Sequence, residues 1–125
     1  MSVWMVLTIA VAGGVGAVLR YLLSRTIAPR AKGRFPWATF AVNVSGALLL
    51  GFATGLAMTH ILPEEWRVVV GTGLLGGYTT FSTASVEAAQ LASQHRTGLA
   101  VLYCVSMFIT SLAAAGAGLW LASST

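Results

Sequence analysis

Four long apolar runs occupy most of this 125-residue chain and limit what it can fold into. They extend over about Val3 to Leu23, Thr39 to Leu62, Val68 to Leu91 and Gly98 to Ala122. Roughly 20 apolar residues are needed for a helix to cross the hydrocarbon core of a bilayer. Only 8% of the residues are charged, which is too few to cover a water-soluble globule. We therefore predict an all-α membrane protein, a single unit over residues 1–125 with four transmembrane helices.

The basic residues give the chain a formal net charge of +4 but cluster at the ends of the apolar runs. This distribution favours a lipid bilayer as the partner and argues against nucleic acid. The tryptophans lie at the same ends, as in an interfacial aromatic belt. Most of the positive charge falls in the loops after the first and third runs, on Arg25, Arg30, Lys32, Arg34 and Arg96. The positive-inside rule places both of these loops in the cytoplasm.

The third run contains a stretch, residues 71–83, that is poor helix material. The pair Gly76 and Gly77 is followed closely by the hydroxyl residues Thr79 and Thr80. A glycine costs a helix about 1 kcal/mol relative to alanine, and threonine side chains compete for backbone hydrogen bonds. The third helix is therefore predicted to break at mid-membrane. Such a break is tolerated inside protein, around a bound ion or beside a water-filled path, so it is either a functional site or a kink relieved by its neighbours.

Each of three further polar side chains has two possible roles. Asn43, inside the second run, is either interhelical glue or a pore-lining donor. Arg20 lies one turn inside the end of the first run, where it either reaches the interface or attracts anions at a vestibule. Glu87 is the only acidic residue that could lie within a span, and it either reaches the far interface or guards a pathway.

The spans contain hydrogen-bond donors and almost no acid. This balance suits an anion, which must exchange its hydration shell for N–H groups, O–H groups and the positive edges of aromatic rings. There is no cluster of histidine, cysteine and carboxylate residues, and neither His60 nor His95 has a partner at ligand spacing, so we predict no enzyme activity. The donors are Asn43, Ser82, Ser85, Tyr103, Ser106 and Thr110.

Motifs in the first three runs, taken together, resemble the Fluc (CrcB) family of fluoride channels, and the similarity covers all four runs. The motifs are Gly13-Gly14-x-Gly16-Ala17-x-x-Arg20-Tyr21, Thr39-x-x-x-Asn43-x-x-Gly46 and Gly73-x-x-Gly76-Gly77-Tyr78-Thr79-Thr80-Phe81-Ser82-Thr83. The resemblance implies a channel that passively exports cytoplasmic fluoride and so gives fluoride resistance. It also implies an antiparallel dimer with two pores in a bacterial-type inner membrane.

The resemblance implies roles for individual residues as well. Backbone carbonyls of Gly76 and Thr79 from both subunits would enclose a structural sodium ion, the one cofactor expected. Arg20 would lie near the vestibule and Glu87 near the pore. The fluoride path would be lined by Asn43, Phe81, Ser82, Ser85, Tyr103, Ser106 and Thr110.

Two departures from the family pattern bear on the partner. The family usually has a second phenylalanine three residues after the first, and this chain has Ala84 there. The biased loop charges also favour one orientation, whereas an antiparallel homodimer needs both. The partner is therefore either a second copy of the chain or an oppositely oriented paralogue.

Two other functions remain as alternatives. One is a small multidrug-type, proton-coupled cation exporter, which would be expected to carry an acidic residue in its first span. The first run of this chain has none. The other is a non-transporting assembly protein in which the polar residues only form hydrogen bonds between helices.

Overall fold

The computed structural model describes residues 2–29, 33 and 35–124, and all of their regular structure is helical. Three helices are long and apolar enough to cross a membrane, namely α1, α2 and α6. The third apolar run is divided among shorter helices. In chain order the elements are α1 Val3–Ile27, α2 Trp37–Met58, α3 Glu64–Val68, a π-helical segment Val69–Leu75, α4 Gly76–Tyr78, α5 Ser82–Ser93 and α6 Thr97–Ser123.

Helix boundaries differ from the predicted runs because of local caps. The first helix continues to Ile27, and the second ends at Met58 rather than near Leu62. After α2 the chain turns at His60, whose φ of 62° is left-handed. The amide of His60 donates to the Ala57 carbonyl at 3.1 Å. A second histidine in the same conformation follows α5, at a position usually taken by glycine, which is why the sequence did not reveal either turn.

Helices α2 and α6 pack with their backbones in contact. A Cβ atom added at Gly51 would lie 2.1 Å from the Ala115 carbonyl oxygen, and one at Gly118 would lie 2.2 Å from that of Leu48. A Cβ at Gly55 would also collide with α6. Small residues permit this close approach between membrane helices. Gly51, Gly55 and Gly118 therefore form the contact between α2 and α6.

The outer surface of the long helices is apolar. Only 6%, 28% and 11% of the residues are buried in the most apolar windows of α1, α2 and α6, so most of their hydrophobic side chains face outward. Trp4 and Trp120, near opposite ends of the chain, are both exposed at helix ends. A surface of this kind is matched to lipid rather than water. The molecule is a multi-pass membrane protein.

The third run is interrupted within the predicted stretch. The chain is helical to Tyr78, leaves the helix over Thr79–Phe81 and resumes at Ser82. The glycines themselves do not break the helix, which corrects the prediction. Gly76 has helical angles, φ −63° and ψ −38°, and a Cβ at Gly77 would lie 2.0 Å from the Gly13 carbonyl oxygen. Gly77 thus serves close packing against α1, and the break falls on the hydroxyl residues after it.

Candidate functional site

Two cavities meet at the break. We call the larger one the phenyl groove, a cavity of about 420 Å³ between the break, α2, α5 and α6. The smaller one, the arginine pocket, has a volume of about 230 Å³ and is bounded by α1, α2 and the break. The groove is lined by Asn43, Thr79, Thr80, Phe81, Ala84, Ser85, Cys104, Met107, Phe108 and Ser111. The pocket is lined by Ala17, Arg20, Tyr21, Ser24, Thr39, Val42, Thr80 and Thr83.

Asn43 is bonded to the break through both ends of its carboxamide. Its Nδ2 donates to the Thr80 carbonyl at 2.8 Å, and its Oδ1 accepts from the Thr80 amide at 2.8 Å. Nδ2 also approaches the Met107 thioether at 3.4 Å. The Thr80 hydroxyl accepts from the Thr83 amide at 3.1 Å and so caps the first turn of α5. Asn43 therefore joins two elements of the protein, and it also lines the phenyl groove.

The next residues of α2 support the other side of the break. The Ser45 hydroxyl and the Tyr78 phenol share a hydrogen bond of 2.9 Å. A Cβ added at Gly46 would lie 2.4 Å from the Thr79 methyl group, so Thr79 rests directly on the α2 backbone. One turn of α2 thus holds residues 78–80. Ser45 was not among the residues predicted for the site, and its spacing from Asn43 was the available clue.

Glu87 lies at a junction of three helices. Its Oε1 accepts from the Thr39 hydroxyl of α2 at 2.5 Å and from the Tyr103 hydroxyl of α6 at 3.3 Å. Tyr103 is fully buried. The carboxylate also borders a small surface cavity with Pro36 and Gln90. Glu87 is therefore held by two hydroxyls rather than extended freely into solvent. This role of Thr39 could not be predicted from residue types alone.

Phe81 is strongly exposed at the groove, with 87% of its surface accessible. Ser85 lines the groove beside it, and Ser82 lies 3.5 Å from the Thr80 hydroxyl. Ala84, where the family usually has its second phenylalanine, is buried in a cluster with Leu91, Ala100 and Tyr103.

The face that α6 turns toward the groove does not carry the α6 hydroxyls predicted for the fluoride path. The groove is lined by Cys104, Met107 and Ser111, which share a helical face. Ser106 instead donates to the Tyr103 carbonyl at 3.2 Å, and neither it nor Thr110 lines the groove. Cys104 is exposed on this face. Helical spacing counted from Cys104, rather than from Tyr103, would have predicted this face.

Arg20 faces the arginine pocket and is half-buried. Among the described residues the single salt bridge joins Arg67 to Glu64, so Arg20 has no carboxylate partner there. Its guanidinium shares the pocket with the hydroxyl residues Ser24, Thr39 and Thr83. A cation surrounded by hydroxyls can bind an anion.

Gly76 and Thr79, the residues expected to bind sodium, lie on either side of the end of α4. Gly76 is exposed, and Thr79 has an extended ψ of 160°. The carbonyls of these two residues therefore do not both point along one helix axis. The described residues contain no group of three histidine, cysteine or acidic side chains that could hold a metal. A hard cation at this position would depend on backbone oxygens.

Comparison with known proteins identifies the family. The family model described as "CrcB-like protein, Camphor Resistance (CrcB)" matches residues 7–119. The chain belongs to this CrcB family. A relative named "Fluoride-specific ion channel FluC 1" from Leifsonia xyli is 51% identical over 97% of this chain and 88% of its own length. "Fluoride-specific ion channel FluC 2" from Mycobacterium tuberculosis is 43% identical over 88% of this chain and 84% of its own.

The same name recurs in a more distant CrcB relative. "Fluoride-specific ion channel FluC 1" from Ligilactobacillus salivarius is 40% identical over 90% of this chain and 95% of its own length. The family resemblance read from the three motifs is thus confirmed. These relatives are named as ion channels and not as enzymes.

Proposed function

We propose that this protein is a fluoride channel that passively exports cytoplasmic fluoride and so gives fluoride resistance. The observation that carries the proposal is the 51% identity, over nearly the whole chain, to a protein named as a fluoride-specific ion channel. The chemistry of the site supports it, because Arg20 faces a cavity without a carboxylate partner among the described residues. A bacterial-type inner membrane is the proposed location.

The phenyl groove is the proposed fluoride path. A phenyl ring has a positive edge that can contact a dehydrated anion without binding it as tightly as a full charge would. Phe81 presents such a ring at the groove, and Ser85 adds a hydroxyl. Arg20 would attract fluoride and Glu87 would border its route. Of the residues proposed for the path, Asn43, Phe81 and Ser85 line the groove. The rest of the proposed path lies outside it, at Ser82, Tyr103, Ser106 and Thr110.

We place the third run across the membrane as a fourth span, with its break at mid-depth, and propose that two subunits pair antiparallel. The support is the open groove, because a ring as exposed as that of Phe81 leaves one side of the path without a wall. A partner subunit would supply that wall. The partner is a second copy or an oppositely oriented paralogue, and Ala84 favours a paralogue that contributes the missing ring.

A structural sodium ion at the dimer axis is part of the proposal. One chain offers only two backbone oxygens, from Gly76 and Thr79, so two chains together would provide four. A Cβ added at Gly76 would meet nothing nearer than 3.7 Å in its own chain. Gly76→Ala therefore tests the shared site without straining the subunit. Loss of dimer in this variant, with normal monomer folding, supports a crowded ion site at the axis.

Flux from purified protein in liposomes tests the function. We expect rapid fluoride efflux, chloride efflux at the level of protein-free vesicles and no proton-driven movement of a cationic dye. Chloride efflux equal to fluoride efflux contradicts the proposal. Dye transport would instead restore the cation-exporter alternative, which no feature of the described residues favours.

A further inference from the structure

We propose that Phe35 is a positioning residue at the Glu87 end of the path, where its ring holds the Tyr103 phenol toward the Glu87 carboxylate. Phe35 precedes the first residue of α2 and so lies outside the membrane-spanning helices. The inference rests on the proposed function for its flux readout, and on the packing of the rings alone for its structural readout.

A tight turn at Pro36 directs Phe35 back onto α2. The Trp37 amide donates to the Phe35 carbonyl at 2.9 Å, and Pro36 between them has φ −78° and ψ 74°. This hydrogen bond and these angles define an inverse γ-turn. The proline ring restricts φ to this region, so the sequence itself favours the turn. The half-buried ring of Phe35 consequently packs against Phe40, one turn into the helix that follows.

Phe35 links the aromatic rings of α2 to Tyr103 on α6. Its ring centre lies 4.5 Å from that of Trp37 and 5.6 Å from that of Phe40. It also lies 5.3 Å from the centre of the Tyr103 ring, at an interplanar angle of 87°. Such perpendicular packing is favoured between aromatic rings. Within the part of the chain that the structure describes, no other aromatic ring pairs with Tyr103.

The hydrogen bond between Tyr103 and Glu87 depends on this packing. The two oxygens are 3.3 Å apart, whereas a hydroxyl normally bonds an oxygen at about 2.7 Å. A bond of that length is too weak to hold the ring, so the position of the phenol is set by the side chains packed around it. Loss of the Phe35 ring would leave space beside Tyr103, and the phenol could then move away from Glu87.

The same turn shapes the surroundings of Glu87. Pro36 borders the surface cavity that the carboxylate faces, which has a volume of about 220 Å³. The Thr39 hydroxyl holds the carboxylate from the α2 side, and Tyr103 approaches it from α6. Since Tyr103 and Glu87 both belong to the proposed route, the turn before α2 determines the shape of one end of that route.

Two measurements on the same variants test the inference. The first is the rate at which the Tyr103 ring flips, followed by NMR of ¹³C-labelled tyrosine rings in micelles. The second is the maximal rate of fluoride flux in liposomes. Phe35→Leu and Phe35→Met remove the ring but keep an apolar side chain, and Phe35→Tyr keeps the ring. Trp37→Leu is the matched control, because it removes a ring that contacts Phe35 but not Tyr103.

In Phe35→Leu and Phe35→Met we expect the Tyr103 ring to flip about tenfold faster or more, since a packing partner is lost. The flip rate of Tyr78, which has no ring contact with Phe35, should stay within about threefold. Maximal flux should fall by about three- to tenfold, because a displaced polar group no longer meets the ion. Phe35→Tyr and Trp37→Leu should keep both rates within about threefold of the unmodified protein.

A double substitution shows whether Phe35 acts through the phenol. Tyr103→Phe keeps the ring and removes the hydroxyl, so it should by itself lower flux by about three- to tenfold. If Phe35 acts by placing that hydroxyl, adding Phe35→Leu to Tyr103→Phe should cost less than about twofold more. A general structural role of Phe35 would instead multiply the two losses.

Several outcomes overturn the inference. Unchanged flipping of Tyr103 without the Phe35 ring would show that Phe35 does not hold it. Multiplied losses in the double substitution, or normal flux in Tyr103→Phe beside reduced flux in Phe35→Leu, would show that Phe35 does not act through the phenol. A chain that folds with neither Leu nor Met at position 35 would make Phe35 a structural residue. If the unmodified protein carries no fluoride, the proposed function fails, and the flip rates still decide whether Phe35 holds Tyr103.

Discussion

The two halves of the third apolar run differ in how they are held. Before the break, the π-helical segment and α4 lie backbone to backbone against α1, and a Cβ at Gly16 would lie 1.9 Å from the Leu74 carbonyl oxygen. After the break, Phe81 is 87% exposed and α5 borders an open groove. The first half is fixed by close contact of small residues. The second half is held by side-chain hydrogen bonds and leaves its aromatic ring accessible.

Composition explains the difference. Residues 71–77 include four glycines, which permit backbone contact at the cost of helix propensity. α5 instead carries serine, threonine, glutamate and glutamine. Its Glu87 carboxylate accepts from the Thr39 hydroxyl, and its Thr83 amide donates to the Thr80 hydroxyl. The break therefore lies between a closely packed half of the run and a more polar, exposed half that borders the groove.

The largest expected effect is on the packed half. Gly16→Ala should lower the free energy of unfolding by about 3 kcal/mol or prevent folding, because the new methyl group would collide with backbone that cannot move aside. Unfolding in detergent measures this. Gly14→Ala is the control on the same helix, since its Cβ would meet nothing within 4 Å. If the two variants lose equal stability, the close packing of the first half is not what holds it.

Substitutions in the exposed half should change fluoride flux more than they change stability. Phe81→Ala removes a ring with few contacts in its own subunit, so the protein should fold while fluoride flux falls by about tenfold. Ala84→Phe should change flux less than this, because position 84 is buried against α6 in this chain. A larger effect at position 84 would mean that the missing ring, and not Phe81, limits conduction.

Positions 81 and 84 also test whether the partner is a second copy of the chain or a paralogue. Co-expression with a paralogue that has phenylalanine at the equivalent of position 84 should raise activity above that of the chain alone. Labelling of cysteines introduced in the loops reports which way the subunits insert. Full fluoride conduction by the chain alone, inserted in both orientations, would contradict a heterodimer and make Ala84 a tolerated variation.

A smaller effect is expected at the arginine pocket. Arg20→Gln should reduce fluoride flux by about three- to tenfold at low salt, because it removes the cation that faces the cavity. Arg25→Gln is the matched control, which removes an equal charge from the same end of α1. Arg25 is exposed and lies 5.7 Å from the centre of the Tyr21 ring. Equal losses in both variants would indicate diffuse surface attraction instead of a pocket.

Hydropathy and residue types predicted much of the fold, because three spans and the approximate position of the break follow from local properties. The pairings did not follow. Two roles remained possible for Asn43, bonding between helices or lining a pore, because its partner Thr80 lies 37 residues away in the sequence. The two residues meet only after α2 and the third run pack together. The face of α6 that lines the groove did not follow from the sequence for the same reason, since it depends on the contacts between α6 and α2 at Gly118. The His60 turn was missed because glycine usually takes that conformation.

The smallest expected effect lies at the start of the packed half, in the ion pair of Glu64 and Arg67. The Arg67 guanidinium donates from Nε at 2.9 Å and from Nη2 at 2.5 Å to the same carboxylate oxygen. These hydrogen bonds, together with the positive charge of Arg67, hold the pKa of Glu64 below its ordinary value of 4.5. A carboxyl whose pKa is depressed on folding stabilises the fold above its unfolded pKa, and that contribution disappears as pH falls through the folded pKa.

Glu64→Gln should therefore lower the unfolding temperature by roughly 1 °C or less at pH 7, since exposed ion pairs are screened by solvent. The difference from the unmodified protein should shrink as pH falls through the folded pKa of Glu64, and fluoride flux should not change. Unfolding scans of both proteins between pH 3 and pH 7 measure this. A difference that widens toward acid pH would contradict the sign of the linkage. A loss of several degrees at pH 7 would show that this turn, and not the glycine contacts with α1, fixes the first half of the run.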